Sequence, residues 1–120
     1  MRFVNCFLLL VTVAAGLRAQ TPAPASGSPP AGNAQNGKKI FSSYGCYQCH
    51  GFEAQGGAGA RLAPRPIAFA AFSKYVRQPS GEMPPYTSKV VTDKELADIY
   101  AFLQSIRPPP AANSIPLLSK

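Results

Sequence analysis

The chain has 120 residues, so it holds at most one small domain once processed or flexible ends are set aside. Charged residues are 14 % of the total, while 13 prolines and 10 glycines argue for a compact part and loosely structured ends. The formal charge of +7 comes from scattered basic residues with no recognition motif, which speaks against a nucleic-acid binder.

Residues 1–19 read as a secretory signal peptide. Met1-Arg2 gives a basic start, Phe3 to Gly16 is almost wholly apolar, and Ala19 is a small residue before a cut ahead of Gln20. The apolar stretch is short and interrupted, whereas spanning a bilayer takes about 20 residues. An uncleaved membrane anchor is the alternative. Cys6 lies too early for lipid attachment and is given no role in the mature protein. Without Arg2 and Arg18, ten basic residues face five acidic ones, a formal +5 that favours partners with acidic docking faces.

Residues 20–33 carry four prolines, small residues and no charge, the composition of a linker. A first helix is expected to start near Asn33 as N-cap, with Gly37, Ile40, Phe41 and Tyr44 along one face. Gly37 is unfavourable within a helix by about 1 kcal/mol, so it is expected where another backbone comes close.

Cys46-Tyr47-Gln48-Cys49-His50 follows directly. Two thiols at this spacing can add across two haem vinyl groups, and the adjacent imidazole can ligate the iron from one face. Three other uses of the motif compete. A thioredoxin-like dithiol wants a βαβ setting, which the pattern does not offer. A zinc site wants four ligands, but after residue 19 there are two Cys and one His. A Cys46–Cys49 disulfide leaves both His50 and the thin core unexplained. Spacing and export together favour covalent haem c.

A second helix is expected to open at Pro66, carry Phe69, Phe72 and Val76 on one side, and stop before Pro79. Met83 comes next, in Gly81-Glu82-Met83-Pro84-Pro85-Tyr86. His50 is the only histidine and Met83 the only methionine beyond Met1, so within one chain a second axial iron ligand points to Met83. A lone methionine is more often core filler. Two prolines after it exclude a helix interior and fix its backbone, which fits a placed ligand with a soft sulfur. The third helix opens at Thr92-Asp93-Lys94-Glu95, a capping box, with Leu96, Ile99, Tyr100, Phe102, Leu103 and Ile106 forming its apolar stripe. Residues 107–120, with four prolines, read as a trailing tail.

From Asn33 to Ile106 the chain resembles the class I cytochromes c, single-haem domains of bacteria and mitochondria. In that family a Gly and an aromatic residue of the first helix pack across the last. Gly37 and Phe41 match the first pair, and Ile99 with Phe102 match their partners. The segment Gly81 to Tyr86 resembles the family's Met loop, and Phe72 to Arg77 is similar to bacterial members. One feature departs. The family has a Gly-Pro pair after the haem motif whose carbonyl accepts the histidine's second N–H. Here the matching pair is Gly59-Ala60, with Pro64 further on, and the sequence leaves open which carbonyl serves.

The expected architecture is all-α: a small cytochrome c fold at 34–106, three main helices around one covalently attached haem. Cys46 and Cys49 attach it, and His50 and Met83 are the axial ligands of its iron. The expected function is that of a periplasmic electron carrier, not an enzyme. A haem subunit of one dehydrogenase or oxidase complex is the runner-up, and a peroxidase-like haem enzyme follows. A haem-free, disulfide-stapled binding module comes last.

Overall fold

The computed structural model describes residues 28–117; the signal-peptide reading of 1–19 and the first part of the linker reading lie outside them. Four α-helices follow in order: α1 (Ala34–Ser43), α2 (Cys46–His50), α3 (Phe69–Arg77) and α4 (Asp93–Ser105), with a 3-10 turn at Ala112–Ser114. Among the described residues no strand forms and no helix is long and apolar enough to cross a membrane. The all-α expectation holds.

Helix α1 begins where the sequence places it. The Asn33 side chain accepts the backbone N–H of Asn36 at 2.9 Å, satisfying one of the free donors at the helix start. Gly37, Ile40 and Phe41 are buried on one face and cross α4. Tyr44, expected on the same face, is instead the C-cap and 37 % exposed. Its backbone has left the helix, at φ −88° and ψ 6°, so its side chain leaves the stripe.

A Cβ on Gly37 would collide with the backbone carbonyl of Asp98 and approach the Ile99 nitrogen to 2.8 Å. Only a bare Cα admits this crossing, and beside it the Phe41 and Phe102 rings pack with centroids 5.4 Å apart. Because the obstacle is backbone, even Gly37→Ala is expected to cost about 1–3 kcal/mol. Denaturant unfolding measures this, and an alanine variant as stable as the parent would place the crossing elsewhere.

Asp98 adds a polar lock to the same crossing. Its carboxylate is 1 % exposed and accepts the Asn33 backbone N–H at 2.7 Å, the Asn36 amide at 2.8 Å and Lys94 Nζ at 3.3 Å. The Asn33 N–H, then the Asn36 amide, hold the carboxyl below the usual carboxylate range, against the opposing effect of burial. A depressed folded-state pKa stabilises the protein at neutral pH, and that stabilisation fades as pH falls below about 4. Asp98→Asn is therefore expected to be less stable at pH 7 and to show a shallower loss below pH 4. An unchanged acid profile would contradict the lock.

The capping box forms as read: Thr92 Oγ1 accepts from Glu95 N, and Thr92 N donates to a Glu95 carboxylate oxygen at 2.8 Å. The start of α3 differs from expectation. Pro66 is not its first residue; the helix begins at Phe69, after Ala68 in extended conformation. The Tyr100 hydroxyl donates to the Ile67 carbonyl at 3.0 Å, tying this extended approach to α4. Phe69 and Phe72 then close on the Tyr100 ring at 5.2 and 5.4 Å.

Candidate functional site

The motif Cys46-Tyr47-Gln48-Cys49-His50 is itself the helix α2, entered through Gly45 in a left-handed conformation, φ 77°. Five residues are too few to show a helical period, so this turn was not legible as a helix. Positions i and i+3 share a helix face, which sets the two thiols side by side. Both are free; Cys46 is half-buried and Cys49 exposed. Burial pushes the Cys46 thiol up, away from the lowered value of an activated redox nucleophile. Among the described residues no three His, Cys, Asp or Glu side chains gather as a metal cluster, so the zinc reading finds no fourth or even third partner set.

The loop after α2 folds back over His50. Gly56 N donates to the His50 carbonyl at 2.8 Å and Gly59 N to the Cys49 carbonyl at 2.8 Å. A Cβ on Gly59 would stand 2.9 and 3.0 Å from the imidazole, so a glycine lets the backbone lie against the ring. That approach brings the Ala60 carbonyl oxygen to 2.7 Å from His50 Nδ1. A carbonyl oxygen only accepts, so Nδ1 carries the proton and Nε2 keeps its lone pair for a metal. The carbonyl that the sequence left unassigned belongs to Ala60.

Met83 is half-buried in the loop between α3 and α4. Tyr86 N donates to the Val76 carbonyl and the Tyr86 hydroxyl to the Tyr44 carbonyl, each at 3.0 Å. The phenol is pushed up by burial and then by the neighbouring Cys46 and Cys49 thiols. The structure thus joins Cys46, Cys49 and His50 on one turn and returns the Met83 loop to it through Tyr86. Sequence reading missed Tyr86, and it reached the Gly59-Ala60 pair without assigning the carbonyl. The aromatic residue directly after Met83-Pro84-Pro85 was the only available hint of the first.

The family model described as cytochrome c oxidase, cbb3-type, subunit III matches residues 32–103. The chain belongs to this c-type cytochrome family. No curated protein and no solved structure gives a match. The cytochrome domain binds covalent haem c with iron and works in haem-based electron transfer. The donor set of this turn fits that cofactor: two adjacent free thiols, and an imidazole whose proton is held on Nδ1 by a carbonyl.

Proposed function

We propose that the chain is an exported, periplasmic cytochrome that passes single electrons between redox partners. In this reading residues 1–19 are removed on export, 20–33 tether the domain at 34–106, and 107–120 form a tail. Cys46 and Cys49 would carry the thioether bonds, and His50 and Met83 would hold the iron. The observation that carries this reading is the His50 Nδ1–Ala60 hydrogen bond of 2.7 Å, which leaves Nε2 available beside the two thiols.

Bound haem c supplies a one-electron Fe(III)/Fe(II) couple. The chain's part is to hold it and close it. The Ala60 carbonyl fixes the ring orientation and tautomer of His50. A soft thioether from Met83 would favour the reduced iron and would keep dioxygen and peroxide from it. The mature chain's net positive charge favours acidic partner faces, an attraction that salt weakens.

The test is an absorption spectrum of protein matured with a haem-attachment system, taken oxidised and reduced, with a peroxide assay alongside. Low-spin six-coordinate iron in both states, one reversible electron and negligible peroxide turnover are expected. High-spin iron with rapid peroxide turnover would contradict the carrier and favour an enzyme.

A second reading rests on the family description, which names an oxidase subunit. Stable co-purification with one large membrane complex would favour a dedicated haem subunit over a free carrier.

A further inference from the structure

Arg77 closes α3, and its side chain is 19 % exposed. One guanidinium nitrogen, Nη1, donates to the Tyr86 carbonyl at 2.8 Å and to the Val91 carbonyl at 2.7 Å. The other, Nη2, meets Asp93 Oδ1 at 2.7 Å. One planar group therefore binds the segment just after Met83, the end of the same loop, and the first residue of α4.

The loop needs this outside anchor. Pro84 and Pro85 have no backbone N–H, so the chain beside Met83 cannot tie itself down with its own donors. The other ties are Tyr86 N to Val76 and the Tyr75 hydroxyl to the Ser80 carbonyl at 2.9 Å, both anchored on α3, and the Tyr86 hydroxyl to the Tyr44 carbonyl at 3.0 Å. Among these, only Arg77 joins the Tyr86 and Val91 carbonyls to Asp93 at the start of α4.

We propose that Arg77 is the positioning residue for the sixth ligand of the iron. It fixes the depth of the Met83 loop and so keeps the thioether on the metal, without touching sulfur or iron itself. The proposal rests on the ligand reading of Met83. Charge-assisted hydrogen bonds in a fixed fork suit this task, and lysine, a point charge on a flexible stem, does not reproduce the planar fork that reaches two carbonyls and a carboxylate from two separate nitrogens.

The experiment compares matured holoprotein of Arg77→Lys, Arg77→Gln and Met83→Ala with the parent. The readouts are the weak red sulfur-to-iron band, carbon monoxide binding to the reduced form, and thermal unfolding. Arg77→Lys keeps charge and stem, so it carries the test if Arg77→Gln does not fold. In the Arg77 variants the band is expected to weaken, and carbon monoxide to bind about tenfold faster or more, as the ligand-free form gains population. If Met83→Ala changes both spectroscopic readouts but the Arg77 variants lose only thermal stability, Arg77 is a structural strap and the proposal fails alone. If Met83→Ala also leaves both readouts unchanged, Met83 is no ligand and both readings fall.

Discussion

Met83→Ala is expected to erase the red sulfur-to-iron band, shift the oxidised spectrum toward high spin and lower the reduction potential. Removing the thioether opens the sixth position to water, an oxygen ligand that favours Fe(III) over Fe(II). The reduced variant should bind carbon monoxide readily, and peroxide turnover should rise as the iron becomes accessible. A methionine that only fills space behaves otherwise. Its truncation costs about 2–5 kcal/mol when fully buried, with spectrum and potential nearly unchanged. Met83 is only half-buried, so the packing cost alone would sit at the low end of that range. Absorption and potentiometric titration of parent and variant side by side separate the two outcomes.

The double variant Cys46→Ser with Cys49→Ser is expected to lose the haem and, with it, the folded domain. The buried core is short: Ile40, Phe41, Phe72, Val91, Leu96, Ile99, Tyr100, Phe102 and Leu103, with a few alanines. A core of this size in about 70 residues supplies only a few kcal/mol, and such domains commonly rely on a metal, cofactor or cross-link. Covalent attachment and folding should then be one event. Circular dichroism of the variant should show loss of the α1–α4 helices. A haem-free variant with parental helix content and a cooperative melt would show that the cofactor is not part of the core.

Much of this architecture is readable from residues because its determinants are local. The Asn33 cap, the Thr92–Glu95 box and the apolar stripes of α1 and α4 each act within a few positions of themselves. Gly37 could be read as a close approach because a mid-helix glycine has no other advantage. The start of α3 was misjudged at Pro66 because the deciding contact, Tyr100 to Ile67, spans 33 residues. The site shows the same division. Cys46, Cys49 and His50 are adjacent in sequence, so their chemistry is visible in it. The Ala60 carbonyl depends on a backbone fold-back over His50, and a carbonyl carries no signature in the residue that bears it. In the sequence Arg77 figured only as the end of the Phe72 to Arg77 segment. Its reach to the Tyr86 and Val91 carbonyls exists only once α3 and α4 are in place.

Covalent attachment at the motif is tested most directly by mass spectrometry of the matured protein, digested after acid denaturation and alkylation. The expected result is that the peptide spanning Cys46 to His50 carries the added mass of one haem, with neither thiol alkylated. Recovery of that peptide without haem and with both cysteines alkylated, from protein matured in a haem-attachment host, would contradict it.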